Sequence, residues 1–347
     1  MKLLLGIVVL AILTDISKAD FCQTNFTLKE LPDGILKEVL SIVTKGVVQD
    51  FFGCPEDVKI NETDVKLWLF TRQNPDIPVL IDRSNPVQLD TSKPIKMIFH
   101  GWLCNITNDE MPDLKTAYLE AYDCNVIALE WTKYAIDLYV NSFCFIPKIA
   151  EVIGKFLCYL QQELKVPLSG VHVSGHSMGG QMAGIVGQET QKQCNTKIGR
   201  VTALDPAGPL YQGIDESRRL DASDAAFVDV IHTNEGLLGY LGSCGQVDFF
   251  PNCGTHQSGC LQTGNDTKPG DILDLPTTAV GCSHLRAVEF FTESINSDKF
   301  VSKPSVVPGL CLPFWFPTIN MGEHLREAPK DKKFWCRTNS KPPFAKG

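Results

Sequence analysis

The segment 175–179 reads GHSMG and constrains the fold of this chain more than any other feature. A short apolar run precedes it at 171–174, and small residues such as Gly180 and Ala183 follow it. Glycine accepts tight turns without a side-chain clash, so the pattern predicts a strand, a sharp turn at Ser177 and a helix packed closely on a sheet. A chance match in a loop is the alternative, which the strand and helix patterns on the correct sides disfavour.

Strand-like and helix-like patterns alternate through the central part of the chain. Short apolar runs predict strands at 96–99, 125–131, 171–174, 200–204 and 227–231. Apolar residues recur at helical spacing over 146–164, where Pro147 suits a first turn, and other helices are expected after Ser177 and from His284. This alternation predicts an α/β domain with a mainly parallel sheet and helices on both faces.

The charge balance of the 347 residues excludes some classes of partner. The formal net charge is −8, and neither a basic patch for nucleic acid nor a polybasic run for anionic membranes is present. After the N-terminal segment, no stretch reaches the 18 or so apolar residues of a membrane-spanning helix. We therefore expect no nucleic-acid partner and no transmembrane segment.

Residues 1–19 have the pattern of a signal peptide. Lys2 supplies the positive charge, residues 3–13 are apolar, and Ser17 and Ala19 fit the small-residue rule for cleavage before Asp20. The apolar run is too short for a membrane anchor. The sequence thus predicts a secreted, extracellular protein with a single domain over residues 20–347.

All 13 cysteines follow the expected cleavage point. In an oxidising compartment most of them are expected to form disulfides, and the odd number leaves at least one unpaired within the chain. No C-x-x-C pair is present, so a zinc site is not expected. Sequons for N-glycosylation begin at Asn25, Asn61, Asn105 and Asn265.

Ser177 is a candidate nucleophile, and such a serine needs a histidine base and a carboxylate that orients it. After an elbow of this kind the carboxylate precedes the histidine in the chain. Asp205 follows the predicted strand 200–204, although an Asp-Pro turn is the alternative interpretation. The competing histidines are His232, His256, His284 and His324. His100 and His176 are interpreted as structural residues that bond to the backbone.

Three more segments, HGW at 100–102, LDPAGP at 204–209 and CSH at 282–284, occur in a specific order with the elbow. With them the chain resembles the pancreatic-lipase-type animal lipases, in particular the single-domain insect neutral lipases and the vespid-type phospholipases A1. The match runs from about Lys66 to the C-terminus. It implies an α/β-hydrolase fold without a C-terminal β-sandwich domain.

The resemblance assigns the catalytic residues. It implies Ser177 as nucleophile, Asp205 as acid and His284 as base, with the backbone N–H groups of Trp102 and Met178 as the oxyanion hole. The implied activity is hydrolysis of carboxylic esters of acylglycerols or phospholipids at a membrane, micelle or emulsion surface, through an acyl-enzyme and without an organic cofactor. The alternative is an inactive lipid-binding relative resembling yolk proteins, but those have lost triad residues that are present here.

The resemblance also implies a possible structural calcium site. Glu216, Arg219, Asp221 and Asp224 match the positions that bind calcium in the family. Two carboxylates and two backbone oxygens suit a hard cation. A solvated charged turn is the alternative, and calcium is not expected to be required.

Cys260 and Cys282 resemble the pair that closes the lid, which would span residues 261–281. This lid has nearly the length found in triglyceride lipases, whereas the loop at 234–246 is short, as in the phospholipases. The lid length therefore favours triglyceride as substrate and the loop length favours phospholipid, so these two markers of substrate specificity disagree. Further bridges are expected for Cys244–Cys253, Cys311–Cys336 and Cys22–Cys104.

Overall fold

A computed structural model describes residues 54–55, 57–86, 89–107, 110–260, 277–304, 318–325 and 333–347. The predicted signal peptide, most of the predicted lid, and the sequons at Asn25 and Asn265 lie outside these residues. Within them, no helix combines the length and apolar character that a membrane crossing requires.

The described strands form one eleven-stranded sheet in the order β10-β9-β11-β8-β7-β6-β5-β3-β4-β1-β2. Their bounds are β1 Lys66–Phe70, β2 Val79–Ile81, β3 Ile95–Phe99, β4 Asn125–Glu130, β5 Val171–His176, β6 Arg200–Leu204, β7 Phe227–Ile231, β8 Val247–Phe249, β9 Val301–Pro304, β10 Ile319–Asn320 and β11 Lys333–Trp335. Strands β4, β3, β5, β6, β7, β8 and β11 pair in parallel, and the remaining pairings are antiparallel. The prediction of a mainly parallel sheet is confirmed, and all five predicted strands are present as β3 to β7.

Helices cover both faces of this sheet. They are α1 Glu110–Ala121, α2 Thr132–Ala135, α3 Tyr139–Gln162, α4 Met178–Cys194 and α5 Thr277–Ile295, with short 3-10 turns at Glu62–Asp64, Leu168–Gly170, Glu216–Arg218 and Pro251–Cys253. Helices α3 and α4 pack together on one face, and α1 and α5 pack on the other. Each face of the sheet has its own hydrophobic core, and alternate residues of β3 pack into the two. Met97 and Phe99 pack into the core on the α3–α4 side, and Ile98 packs into the core on the α1–α5 side. Burial on both faces explains why the central strands read as continuous apolar runs.

Helix α3 begins earlier than the sequence predicts. It starts at Tyr139, so Pro147 lies in its interior rather than in its first turn. The apolar face extends backwards through the buried Phe143 and Cys144. Burial of that extension outweighs the lost hydrogen bond at the proline, because most helix stability in proteins comes from packing of the apolar face.

The cysteine pairings agree only in part with expectation. The Cys260–Cys282 bridge is present, together with Cys54–Cys144 and Cys158–Cys194. Cys104 is disulfide-bonded, but Cys22 lies outside the described residues, so their pairing stays a prediction.

The expected Cys244–Cys253 and Cys311–Cys336 bridges are wrong. Cys244 and Cys336 are free, buried thiols, whereas Cys253 is disulfide-bonded. Cys244 and Cys336 belong to the two separate apolar cores, where cysteine packs as a small hydrophobic residue. Burial raises the pKa of the Cys336 thiol to about 12, which disfavours the reactive thiolate.

The sequons at Asn61 and Asn105 are described. Asn61 is exposed and Asn105 is half-buried, and each side-chain oxygen accepts hydrogen bonds from the threonine two residues later. Both sites are loop turns, as glycosylation requires, and their modification stays a prediction.

A buried ion pair joins the sheet to the segment 318–325. Arg200 in β6 bonds both carboxylate oxygens of Asp229 in β7, at 2.8 and 2.9 Å. The same guanidinium donates to the carbonyl oxygens of Gly322 and Glu323, both at 2.8 Å. Asp229 is fully buried, so this arginine provides its compensating charge.

We expect Arg200→Met to destabilise the protein by about 3 kcal/mol or more, because the buried Asp229 carboxylate keeps the Thr202 hydroxyl as a donor but loses its compensating charge. Urea unfolding followed by circular dichroism measures the change. The matched control is Arg218→Met, since Arg218 is exposed. Equal effects of the two substitutions would contradict a structural role for the buried pair.

Candidate active site

Ser177 occupies a strained turn between β5 and α4. Its φ is 56° and its ψ is −122°, a combination that residues with side chains rarely adopt. The Ser177 N–H donates to Leu204 O at 3.1 Å, and Ser177 O accepts from Gly180 N and Ala207 N, each at 3.0 Å. These bonds to the end of β6 and beyond hold the strained backbone in place and leave the serine side chain half-exposed.

The two motif glycines allow the backbone to turn this sharply. A Cβ on Gly175 would lie 2.1 Å from Gly179 O, and one on Gly179 would lie 2.5 Å from both Phe99 O and His100 O. Because these contacts involve backbone atoms, neither position tolerates a side chain without displacing the elbow. The sequence prediction of a strand–turn–helix elbow is confirmed in detail.

Asp205 and His284 lie together beside the elbow. His284 Nδ1 and Asp205 Oδ2 are 2.5 Å apart, and both side chains are buried. The ring of His284 lies 4.5 Å from the ring of His176, the neighbour of Ser177. The structure therefore brings together the three residues that the sequence analysis selected.

The Asp205 carboxylate is held by groups that the sequence analysis missed. Its Oδ1 accepts backbone N–H bonds from Thr233 at 2.8 Å and Asn234 at 3.0 Å. Gly239 approaches so closely that a Cβ there would lie 2.5 Å from Asp205 Oδ1. The loop after β7 thus orients the carboxylate, and the turn-like φ of 44° at Asp205 aims it at His284.

The competing histidines have other environments. His256 and His324 are exposed, whereas His232 is fully buried and bonds Asp248 Oδ1 through Nε2 at 2.8 Å. Burial alone would lower the pKa of His232, but the hydrogen bond and charge of Asp248 raise it. Cys244 joins this pair in a buried cluster whose potential ligand atoms lie within 4.8 Å of one another. The sequence analysis assigned Cys244 to a disulfide and therefore did not group it with His232 and Asp248.

His100 and His176 bond to the backbone, as predicted. His100 Nδ1 and Gly101 O are 2.9 Å apart, and His176 Nε2 and His284 O are 3.2 Å apart. Burial and the neighbouring His284 lower the pKa of His176 well below its ordinary value, so it stays neutral.

Two links of the triad differ in their geometry. The Asp205–His284 bond is formed, whereas no hydrogen bond joins the described Ser177 hydroxyl to His284. In hydrolases without substrate this contact is often long and tightens only when substrate binds.

The predicted oxyanion-hole residues belong to two segments next to the serine, since Met178 follows it and a Cβ on Gly101, the residue before Trp102, would lie 3.0 Å from Ser177 Cβ. Met178 is the first residue of α4, so its N–H is among those without an intrahelical partner. Trp102 follows β3, and its indole Nε1 donates to Asp137 O at 2.8 Å. Leu103 N–H donates to Ala135 O at 2.9 Å, which anchors the loop that carries Trp102.

The residues at the expected calcium positions surround a side-chain amide. Glu216 O, Arg219 O and Asp224 Oδ1 lie 3.0, 2.8 and 3.0 Å from Gln188 Nε2. Asp221 Oδ1 accepts a backbone N–H two residues later. An amide N–H₂ donates hydrogen bonds and does not ligate metals, so this arrangement does not fit a cation among these three oxygens.

Comparison with known proteins supports one family. A protein-family model described as Lipase matches residues 44–344. Human lipoprotein lipase is 30% identical over 290 residues, which cover 77% of this chain and 59% of that protein. Phospholipase A1 of Vespa velutina is 34% identical over 217 residues, which cover 60% of this chain and 67% of that protein. The chain thus spans about three-fifths of the length of the lipoprotein lipase that it matches.

The architecture agrees with this match. A mostly parallel sheet covered by helices on both faces, with a serine at the sharp turn after β5, is the α/β-hydrolase fold. The family model covers most of the chain, including every element of the candidate site. The chain therefore belongs to the Lipase family.

Proposed function

We propose that this chain is a secreted serine hydrolase that cleaves carboxylic ester bonds of acylglycerols and phospholipids through an acyl-Ser177 intermediate. The observation that carries the proposal is the buried Asp205–His284 pair beside the strained turn of Ser177. The names of the relatives, lipoprotein lipase and phospholipase A1, support the substrate class.

In the proposed acylation step, Ser177 Oγ attacks the ester carbonyl carbon while His284 Nε2 accepts the hydroxyl proton. The carbonyl oxygen becomes an oxyanion that accepts hydrogen bonds from the backbone N–H groups of Met178 and Trp102. Collapse of this intermediate breaks the ester C–O bond, and His284 gives its proton to the departing alcohol. The fatty acyl group then remains on Ser177.

In the proposed deacylation step, His284 accepts a proton from water as the water oxygen attacks the acyl carbon. A second oxyanion forms in the same hole, and its collapse breaks the bond to Ser177 Oγ, which recovers the proton from His284. The products are a fatty acid and the free enzyme. Asp205 keeps the proton of His284 on Nδ1, so that Nε2 is available as the base in both steps.

Apolar side chains beside the site support a lipid substrate. Ile136 is 53% exposed and follows Ala135, which anchors the Trp102 loop. Leu241 is 57% exposed and follows Tyr240, whose N–H donates to the carbonyl of Pro206 at 2.7 Å. These exposed side chains belong to segments that are bonded to the Trp102 loop and to Pro206, and they offer apolar surface for contact with a lipid aggregate. The predicted signal peptide and the disulfides support secretion.

We expect Ser177→Ala to lower kcat by on the order of 10⁴-fold or more with an unchanged fold, because it removes the nucleophile. Release of fatty acid by purified protein measures the loss. Ser174→Ala is the matched control, since Ser174 lies in the same strand and contacts Tyr118 instead of the site. Normal turnover by Ser177→Ala would refute the proposal.

We expect Asp205→Asn to lower kcat by on the order of 10⁴-fold near neutral pH. Its amide would face His284 Nδ1 with N–H groups, which places the imidazole proton on the wrong nitrogen. The matched control is Asp248→Asn in the second buried pair, which should lower stability and leave kcat of the folded protein nearly unchanged. A large loss of kcat in Asp248→Asn, with nearly unchanged kcat in Asp205→Asn, would instead identify His232 as the base.

A substrate panel tests the lipid assignment. We expect fatty acid release from medium-chain acylglycerols and from the sn-1 position of phosphatidylcholine, with Ser177→Ala as the blank for each. Liquid chromatography with mass spectrometry identifies the lysolipid formed. Binding of both lipids without any Ser177-dependent release would instead support an inactive lipid-binding protein.

A further inference from the structure

The loop after β6 is attached to helix α4 through glutamine side chains. Gln188 Nε2 contacts Glu216 O, Arg219 O and Asp224 Oδ1. One helical turn later, Gln191 Nε2 donates to Asp224 O at 3.1 Å. The helix and this loop touch closely, since a Cβ on Gly187 would lie 2.2 Å from Asp224 O.

Gln188 and Gln191 each place Nε2 among three oxygens, but the three around Gln191 are backbone carbonyls at 3.1–3.4 Å, whereas the group around Gln188 is tighter and includes a carboxylate. Two carbonyl oxygens and one carboxylate oxygen surround Gln188 Nε2 at 2.8–3.0 Å. Oxygens that converge in this way repel each other unless a donor or a cation lies between them. The amide supplies that donor with two N–H groups for three acceptors.

The amide and a calcium ion would satisfy this group of oxygens in different ways. Calcium binds oxygens at about 2.3–2.6 Å, so the three oxygens would move inwards by a few tenths of an ångström. Calcium would also neutralise the Asp224 carboxylate, which is 1% exposed.

We propose that the Gln188 carboxamide takes the place of a calcium ion in this loop, so that the protein is calcium-independent and a variant without the carboxamide binds calcium there. A groove of about 520 Å³, lined by Gln188, Glu216, Asp221 and Asp224 among others, connects the position with solvent. A cation therefore has a route to the vacated position. The inference concerns a structural ion and does not depend on the proposed ester hydrolysis.

The test compares the melting temperature of wild-type and Gln188→Ala protein in calcium and in EDTA. The wild-type Tm should be the same in both, and metal analysis after gel filtration should find no stoichiometric calcium. Gln188→Ala should have a lower Tm in EDTA and regain about 5 °C in calcium well above its Kd. Magnesium should not restore it, because it requires a smaller octahedral site.

Two controls separate a cation site from general stabilisation. Gln191→Ala also removes an amide from among three oxygens, but none of them is a carboxylate, so this variant should be destabilised without recovery in calcium. The double variant Gln188→Ala/Asp224→Asn should lose the calcium response because it lacks the carboxylate. Gln188→Asn, whose shorter side chain withdraws the amide, provides a second variant if Gln188→Ala does not fold.

Either of two results would overturn the proposal. One is a wild-type protein that retains one calcium per chain or gains Tm in calcium. The other is a folded Gln188→Ala or Gln188→Asn protein whose Tm does not change with calcium. Because melting and metal content are measured, loss of hydrolytic activity cannot imitate either result.

Discussion

The backbone contact between Gly175 and Gly179 is the constraint on which the candidate site depends. It allows α4 to begin directly above the end of β5, with Ser177 at a positive φ of 56°. Ser177 N–H and O then bond to Leu204 O and Ala207 N, which also sets the position of the chain at the end of β6. The nucleophile and the acid are therefore positioned by the same set of backbone contacts, and their relative geometry does not depend on flexible side chains.

Two buried histidine–aspartate pairs illustrate why residue type alone does not identify a catalytic group. His284 and Asp205 lie beside the elbow, whereas His232 and Asp248 join β7 to β8 in the core. Both pairs are buried and have short contacts, so in each pair the carboxylate is placed to hydrogen-bond and orient the imidazole. Only the first lies beside the serine of the elbow; the second has the Cys244 thiol nearby, but burial raises the pKa of that thiol well above its ordinary value and disfavours the nucleophilic thiolate. Location relative to Ser177 therefore separates a base from a structural residue.

The loop from Glu216 to Asp224 shows a similar limit for inferred metal sites. The oxygens at the family's calcium positions are present, and three of them converge as a cation site would require. The atom at their centre, however, belongs to Gln188 on another element. Since a hydrogen-bond donor and a cation both relieve repulsion between oxygens, matching the oxygen-bearing residues cannot distinguish the two.

The sequence by itself determined the elbow, the five central strands and the parallel sheet, because apolar runs and glycine turns are local patterns. The residues alone left four histidines as candidates for the base, and the resemblance to the lipases selected His284 and supported Asp205. Only the tertiary structure showed the backbone donors and Gly239 that orient Asp205, the amide of Gln188 among the loop oxygens, and the free thiols of Cys244 and Cys336. It also moved the start of α3 back to Tyr139. These features depend on which way side chains point after distant segments pack together. Sequence spacing carries no information on that direction, since burial and backbone contacts between elements determine it.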